Sequence, residues 1–180
     1  MIIGITGQSG AGKSRAADYL MREYEVDCIH LDEIGHQLLK DPAIIEDLAQ
    51  EFGADILDEH GDISRELLGQ IVFSDSEACE RLNRRVHPAL KEAVVQQLSA
   101  RSSGITVIEG ALLKELGLLR YCDHVLVIES SSEDVNERSR QIRGIQASAA
   151  SFREQGTTIK NSMDGEFEGQ LKRWMEGVLT

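Results

Sequence analysis

The chain has 180 residues, enough for one α/β domain with a substantial core, and its apolar fraction of 41% is ordinary for a globular protein. Thirty-one acidic against nineteen basic side chains leave a formal net charge of −12, which disfavours non-specific binding to nucleic acid or to an anionic membrane; an anionic ligand must meet locally concentrated positive charge. Cys28, Cys79 and Cys122 are odd in number and widely spaced, with no C-x-x-C pair, so neither a disulfide framework nor a zinc site is indicated and a reducing cytosol is the natural setting.

Residues 1–6, Met1-Ile2-Ile3-Gly4-Ile5-Thr6, form a short apolar run that reads as a buried parallel strand. It is too short for a signal peptide, and no stretch of the sequence reaches membrane-spanning length, so a cytoplasmic protein is expected. Gly7-Gln8-Ser9-Gly10-Ala11-Gly12-Lys13-Ser14 then fits the phosphate-loop pattern G-x-x-x-x-G-K-[ST], followed by the helix formers of residues 15–21. Glycines let such a loop curl so that successive N–H groups point at phosphate oxygens, and the following helix N-terminus adds partial positive charge. In that arrangement Lys13 reaches the β- and γ-phosphates of ATP and the Ser14 hydroxyl ligates Mg²⁺.

A second strand is expected near 26–30, and it leads into Asp32, at the carboxyl end of a strand where open α/β sheets bind their ligands. Asp32 suits a base that accepts a hydroxyl proton, a water-mediated Mg²⁺ contact, or an N-cap for the helix of Ile34, Leu38 and Leu39. His30 and His36 share no metal-ligand spacing and read as structural or surface residues. Residues 34–100 carry almost entirely helical pattern, with Ile44, Leu48 and Phe52 on one face and Leu67, Leu68, Ile71 and Val72 on another. Asp62 or Ser64 is available as an N-cap, and Pro88 marks the start of a further helix through Leu90, Val94 and Leu98.

Strands follow at 105–109, 124–129 and 157–160. Glu109 closes the first of these, where phosphate-loop enzymes often hold a carboxylate for Mg²⁺; a satisfied strand-end acid is the plainer reading. Between the last two, Ser130-Ser131-Ser132-Glu133 has a capping-box pattern, and Arg138, Arg140, Arg143 and Arg153 cluster in an otherwise acidic chain. Such a charged segment is usually a solvated face, but its guanidiniums also suit a lid that closes over phosphates.

Taken in order, the residues resemble the dephospho-coenzyme A kinase family. Asp32-Glu33-Ile34-Gly35-His36-Gln37-Leu38-Leu39 is similar to that family's D-A-D-x-I-A-H-x-L segment, and Leu82-Asn83-Arg84-Arg85-Val86-His87-Pro88 to its L-N-x-x-x-H-P. Glu109-Gly110-Ala111-Leu112-Leu113-Lys114-Glu115 stands where the family writes D-x-P-L-L-F-E, and Cys122-Asp123 begins its C-D-x-x-x-V strand. His30 replaces an aspartate of the family, Ala111 a proline and Lys114 an aromatic, and the segment 143–157 is shortened.

The resemblance implies a single P-loop kinase domain with helices on both faces of a parallel sheet. Its core would be about 1–33, 101–130 and 157–180, with a helical acceptor-binding region at about 34–100 and a lid at about 131–156. It implies ATP and Mg²⁺ as cofactors, and transfer of the γ-phosphoryl group to the ribose 3′-hydroxyl of dephospho-coenzyme A. Asp32 would be the base, Arg65, Asn83 and His87 would hold the acceptor, Arg138 or Arg140 would clamp ATP phosphates, and Asn161 would lie near the adenine. A related nucleotide or small-molecule kinase and a nucleotide-binding regulatory module are the other functions considered; a mere binder needs Lys13 but has no use for Asp32 and the arginines.

Overall fold

The computed structural model describes residues 1–101, 104–130, 156–162 and 165–180. Arg138, Arg140, Arg143, Arg153 and nearly all of the expected lid lie outside the described residues. The chain divides into two compact units, one made of Met1–His30 and Ala100–Thr180, the other of Leu31–Ser99.

In the first unit β1 (Ile2–Gly7), β2 (Asp27–His30), β3 (Thr106–Glu109), β4 (His124–Ser130) and β5 (Thr157–Asn161) form one all-parallel sheet in the order β2-β3-β1-β4-β5. Each strand lies within one residue of its expected bounds. Because β1 sits between β3 and β4, its residues from Ile3 to Gly7 are all buried, which is why the segment reads as a continuous apolar run.

Alternation along β1 sends Ile3 and Ile5 into a core shared with Val107, Leu126 and Ile128. Two helices supply the rest of it. From α1 (Lys13–Tyr24) come Ala16, Ala17 and Leu20, small enough near the loop to let the helix lie close to the sheet; from α6 (Glu166–Val178) come Phe167, Leu171 and Met175 at helical i, i+4, i+8 spacing. Each of the large side chains is fully buried, worth about 2 kcal/mol against exposure. On the opposite face of β1, a Cβ on Gly4 would lie 2.8 Å from Cys122 Sγ and 2.9 Å from Leu113 Cδ2, so glycine lets that layer close on the strand.

The second unit is helical: α2 (Leu31–Leu38), α3 (Pro42–Phe52), a 3₁₀ turn at Ala54–Ile56, α4 (Arg65–Ser74) and α5 (Ser76–Ser99). Leu48, Ile56, Ile63, Leu68, Val72 and Ala78 form its core, with Ile44, Phe52, Leu82 and Val86 packed around them. Asp41 caps α3 by accepting from the Ala43 N–H at 2.8 Å, with Pro42 at the first helical position, where its missing N–H costs nothing. Of the two cap candidates for α4 the structure selects Ser64, whose Oγ accepts from the Leu67 N–H at 3.4 Å. Leu68 and Val72 turn inward as expected, but Leu67 is exposed.

Two local expectations are corrected. No helix starts at Pro88; it lies inside the 24-residue α5. The stripe Leu82, Val86, Leu90 and Val94 repeats every fourth residue straight through it, and burial of that stripe outweighs the one hydrogen bond that proline removes. Nor is Asp32 an N-cap: α2 begins one residue earlier, with Leu31 following directly on β2, so Asp32 falls inside the first turn, where the helix dipole favours a carboxylate.

Candidate active site

At the carboxyl end of β1 the chain turns into the phosphate loop, and three of its glycines adopt backbone angles that L side chains rarely take: Gly7 at φ 140°, Gly10 at 77° and Gly12 at 101°. A side chain on Gly7 would run into the Ile128 carbonyl of the neighbouring strand, and one on Gly12 would fall on the amide of Asn161. Inside the loop the Ala11 N–H donates to the Gln8 carbonyl at 3.2 Å, and α1 starts at once with Ala16 N–H on Gly12 O at 3.0 Å. Lys13 is only 8% exposed, and its Nζ donates to Gln8 O at 3.0 Å, which draws the ammonium over the loop. Ser14 is exposed at the start of the helix. A backbone curled in this way, with a cation beside it at a helix N-terminus, is built to bind an oxyanion.

Asn161, at the end of β5, joins this loop. Its Nδ2 donates to Ala11 O at 2.9 Å, and its Oδ1 accepts from Arg15 Nη1 at 3.4 Å. Arg15 in turn lies 5.0 Å over the Phe167 ring and 3.7 Å from Glu168, so the side chain that follows Ser14 links α1, β5 and α6. Arg15 was not singled out by sequence reasoning; its position next to the G-K-S triplet was the available signal.

Glu109 ends β3 beside the root of the loop: it is in register with Ile5 on one side and His30 on the other. Its side chain is 6% exposed, and His30 Nδ1 lies 3.1 Å from its Oε2. The imidazole therefore has a partner at the strand ends and is more than a surface residue. Among the described residues no cluster of three or more His, Cys, Asp or Glu side chains could cage a metal. Mg²⁺ rarely asks for such a cage, since it keeps waters and takes one or two protein oxygens along with phosphates. Ser14 and Glu109, hard oxygen donors beside a phosphate loop, fit that need.

The candidate acceptor residues belong to the helical unit. Asp32 is exposed in the first turn of α2, and Arg65 is exposed at the start of α4. Asn83 and His87 are half-buried and one turn apart on α5, against which α2 and α4 both pack. Asn83 Nδ2 also lies 3.7 Å from Cys79 Sγ, and nearby Arg81 and Arg85 are tied to Glu51 and Asp47 at 2.8–3.0 Å.

Comparison with known proteins identifies the family. The family model "CoaE: Dephospho-CoA kinase" matches residues 1–163. A dephospho-CoA kinase of Dehalococcoides mccartyi is 34% identical over 163 residues, covering 89% of this chain and 82% of its own length. One from Mannheimia succiniciproducens is 36% identical over 139 residues, covering 77% of this chain and 64% of its own. The structure of the dephospho-CoA kinase from Campylobacter jejuni superposes with a TM-score of 0.70 at 22% identity, over 98% of this chain and 96% of that one, and so shares the fold. A phosphate loop with its lysine drawn inward, on an all-parallel five-stranded sheet, in a sequence that matches this family almost end to end, leads to one conclusion: the chain belongs to the dephospho-CoA kinase family.

Proposed function

We propose that this protein transfers the γ-phosphoryl group of ATP to the ribose 3′-hydroxyl of dephospho-coenzyme A, giving coenzyme A and ADP. The observation that carries the reading is the phosphate loop: left-handed Gly10 and Gly12 with the Lys13 ammonium drawn over the loop, in a chain of this family. Lys13 and the loop N–H groups hold the β- and γ-phosphates. Ser14 and Glu109 would hold Mg²⁺, which, when bound, neutralises charge between those phosphates.

Asp32 takes the 3′-hydroxyl proton as its oxygen attacks phosphorus, so the carboxylate ends protonated while the bond to the ADP oxygen breaks. Arg65, a bidentate donor, pairs with the acceptor's pyrophosphate, and Asn83 and His87 hydrogen-bond the acceptor. On this reading the helical unit 31–99 is the acceptor-binding region, Arg138 and Arg140 serve the ATP phosphates on the strength of the resemblance, and the protein works in the cytoplasm. Among the described residues no helix is long and apolar enough to cross a membrane.

The test is ADP release by the purified protein with Mg-ATP and a panel of acceptors: dephospho-coenzyme A, nucleoside monophosphates and free nucleosides. Turnover confined to dephospho-coenzyme A is expected. ATP binding without ADP release for any of them would refute the kinase reading.

A further inference from the structure

The strand ends beside the phosphate loop hold an imidazole and a carboxylate whose pairing the phosphoryl-transfer scheme has not used. Glu109 is nearly sealed, with 6% of its side chain exposed, and it carries no partner but His30 among the described residues. His30 Nδ1 and Glu109 Oε2 are 3.1 Å apart, and with the carboxylate oxygen as acceptor the ring's Nδ1–H is the donor. The backbone fixes both ends of this bond. His30 and Glu109 are register partners and the last residues of the adjacent parallel strands β2 and β3, so their side chains leave the same face side by side. Cys28, two residues earlier on that face, lies 3.9 Å from the same nitrogen and backs the ring.

The second carboxylate oxygen is different. Glu109 Oε1 accepts no hydrogen bond among the described residues. A free glutamate has two soft torsions near its head group and would spread over several rotamers; one hydrogen bond from a half-buried ring on a neighbouring strand removes that freedom.

We propose that His30 is a positioning residue: its Nδ1–H holds Glu109 Oε2 so that Oε1 is kept turned toward the metal's hydration shell beside the phosphate loop. The proposal rests on the reading of Glu109 as a Mg²⁺ oxygen. His30 itself touches neither metal nor substrate. A partner that orients a ligating carboxylate commonly changes metal affinity by about 10–100-fold when removed.

Calorimetric titration of the whole protein with ADP over a range of Mg²⁺ concentrations tests this with wild type, Glu109→Gln, His30→Ala and His30→Asn. In His30→Ala the Mg²⁺ concentration that gives half of the metal-dependent gain in ADP affinity should rise about tenfold. Saturating Mg²⁺ should restore the wild-type affinity, which a collapsed loop would not permit. His30→Asn should recover most of the loss, since the asparagine amide N–H occupies roughly the place of Nδ1–H. In wild type, ¹⁵N NMR of the His30 ring should show the Nδ1–H tautomer, and that preference should fall in Glu109→Gln. This spectrum decides even where His30→Ala does not fold: a bare Nδ1 in wild type overturns the proposal. So does a wild-type Mg²⁺ midpoint in His30→Ala when Glu109→Gln shifts it, an outcome that leaves the metal reading of Glu109 standing. An unchanged midpoint in Glu109→Gln removes the metal reading, and the proposal with it.

Discussion

Asn161 Nδ2 donates to the Ala11 carbonyl at 2.9 Å and occupies the space that a Cβ on Gly12 would need, so the last strand of the sheet braces the phosphate loop at its tightest point. Two penalties therefore meet in Gly12→Ala: the Asn161 amide must be displaced, and alanine must hold a φ near 101°. Backbone strain of this kind costs the folded state roughly 1–3 kcal/mol, so the melting temperature should fall by several degrees, and as the loop relaxes from its binding conformation the KM for ATP should rise at least about tenfold. Adding Asn161→Ala removes the collision but not the strain, and should return only part of the lost affinity. Full recovery in the double variant would mean that the conformation of Gly12 is immaterial.

The carboxylate of Asp32 sits in the first turn of α2, with no capping bond to make, which frees it for chemistry. Asp32→Asn keeps the shape and removes the basicity. A fall in kcat of about a hundredfold or more is expected, with the KM for ATP unchanged, since general bases contribute about 10²–10⁴-fold. Steady-state kinetics with dephospho-coenzyme A decides it; a wild-type kcat would take the base away from Asp32.

How far these features can be read without coordinates depends on whether the signal is local. The strand at Ile2–Gly7 and the loop after it are legible because both obey short-range rules: an apolar run buried on two faces, and glycines at fixed offsets. His30 is not legible in the same way. Its partner Glu109 is 79 residues away, brought alongside only by the parallel register of β2 and β3, and no spacing in the sequence encodes that. Asn161 is named through the resemblance alone, and its bond to Ala11, 150 residues away, is hidden for the same reason. Pro88 shows the opposite failure: a strong local stop signal overruled by a buried stripe.

That overruling is measurable. Pro88 is exposed and interior to α5, so its ring contributes little packing while its missing N–H leaves the helix one bond short. Pro88→Ala should stabilise the protein by about 1–2 kcal/mol, less than the full 3 kcal/mol of the helix scale because alanine also frees the unfolded chain. Urea denaturation gives the comparison. No gain, or a loss, would indicate that the helix breaks at Pro88 in solution.

Cys122 offers a pH test of the packing against Gly4. Burial, assisted by the neighbouring charge of Asp123, pushes its thiol up to about 11 from an ordinary 9.0. The folded protein thus holds this proton more tightly than the unfolded chain does, and the linkage has a definite sign. The contribution is fully present below about pH 9 and is lost as pH rises from 9 toward 11, because the unfolded chain ionises first. Alkylation by iodoacetamide at pH 8 should accordingly be slow in the native protein and fast after unfolding, since the thiolate is the nucleophile. In urea titrations from pH 8 to 11, wild type should lose stability more steeply than Cys122→Ala, whose side chain cannot titrate. Parallel curves for the two proteins would show that the thiol keeps its ordinary acidity in the fold and that the layer over Gly4 admits water.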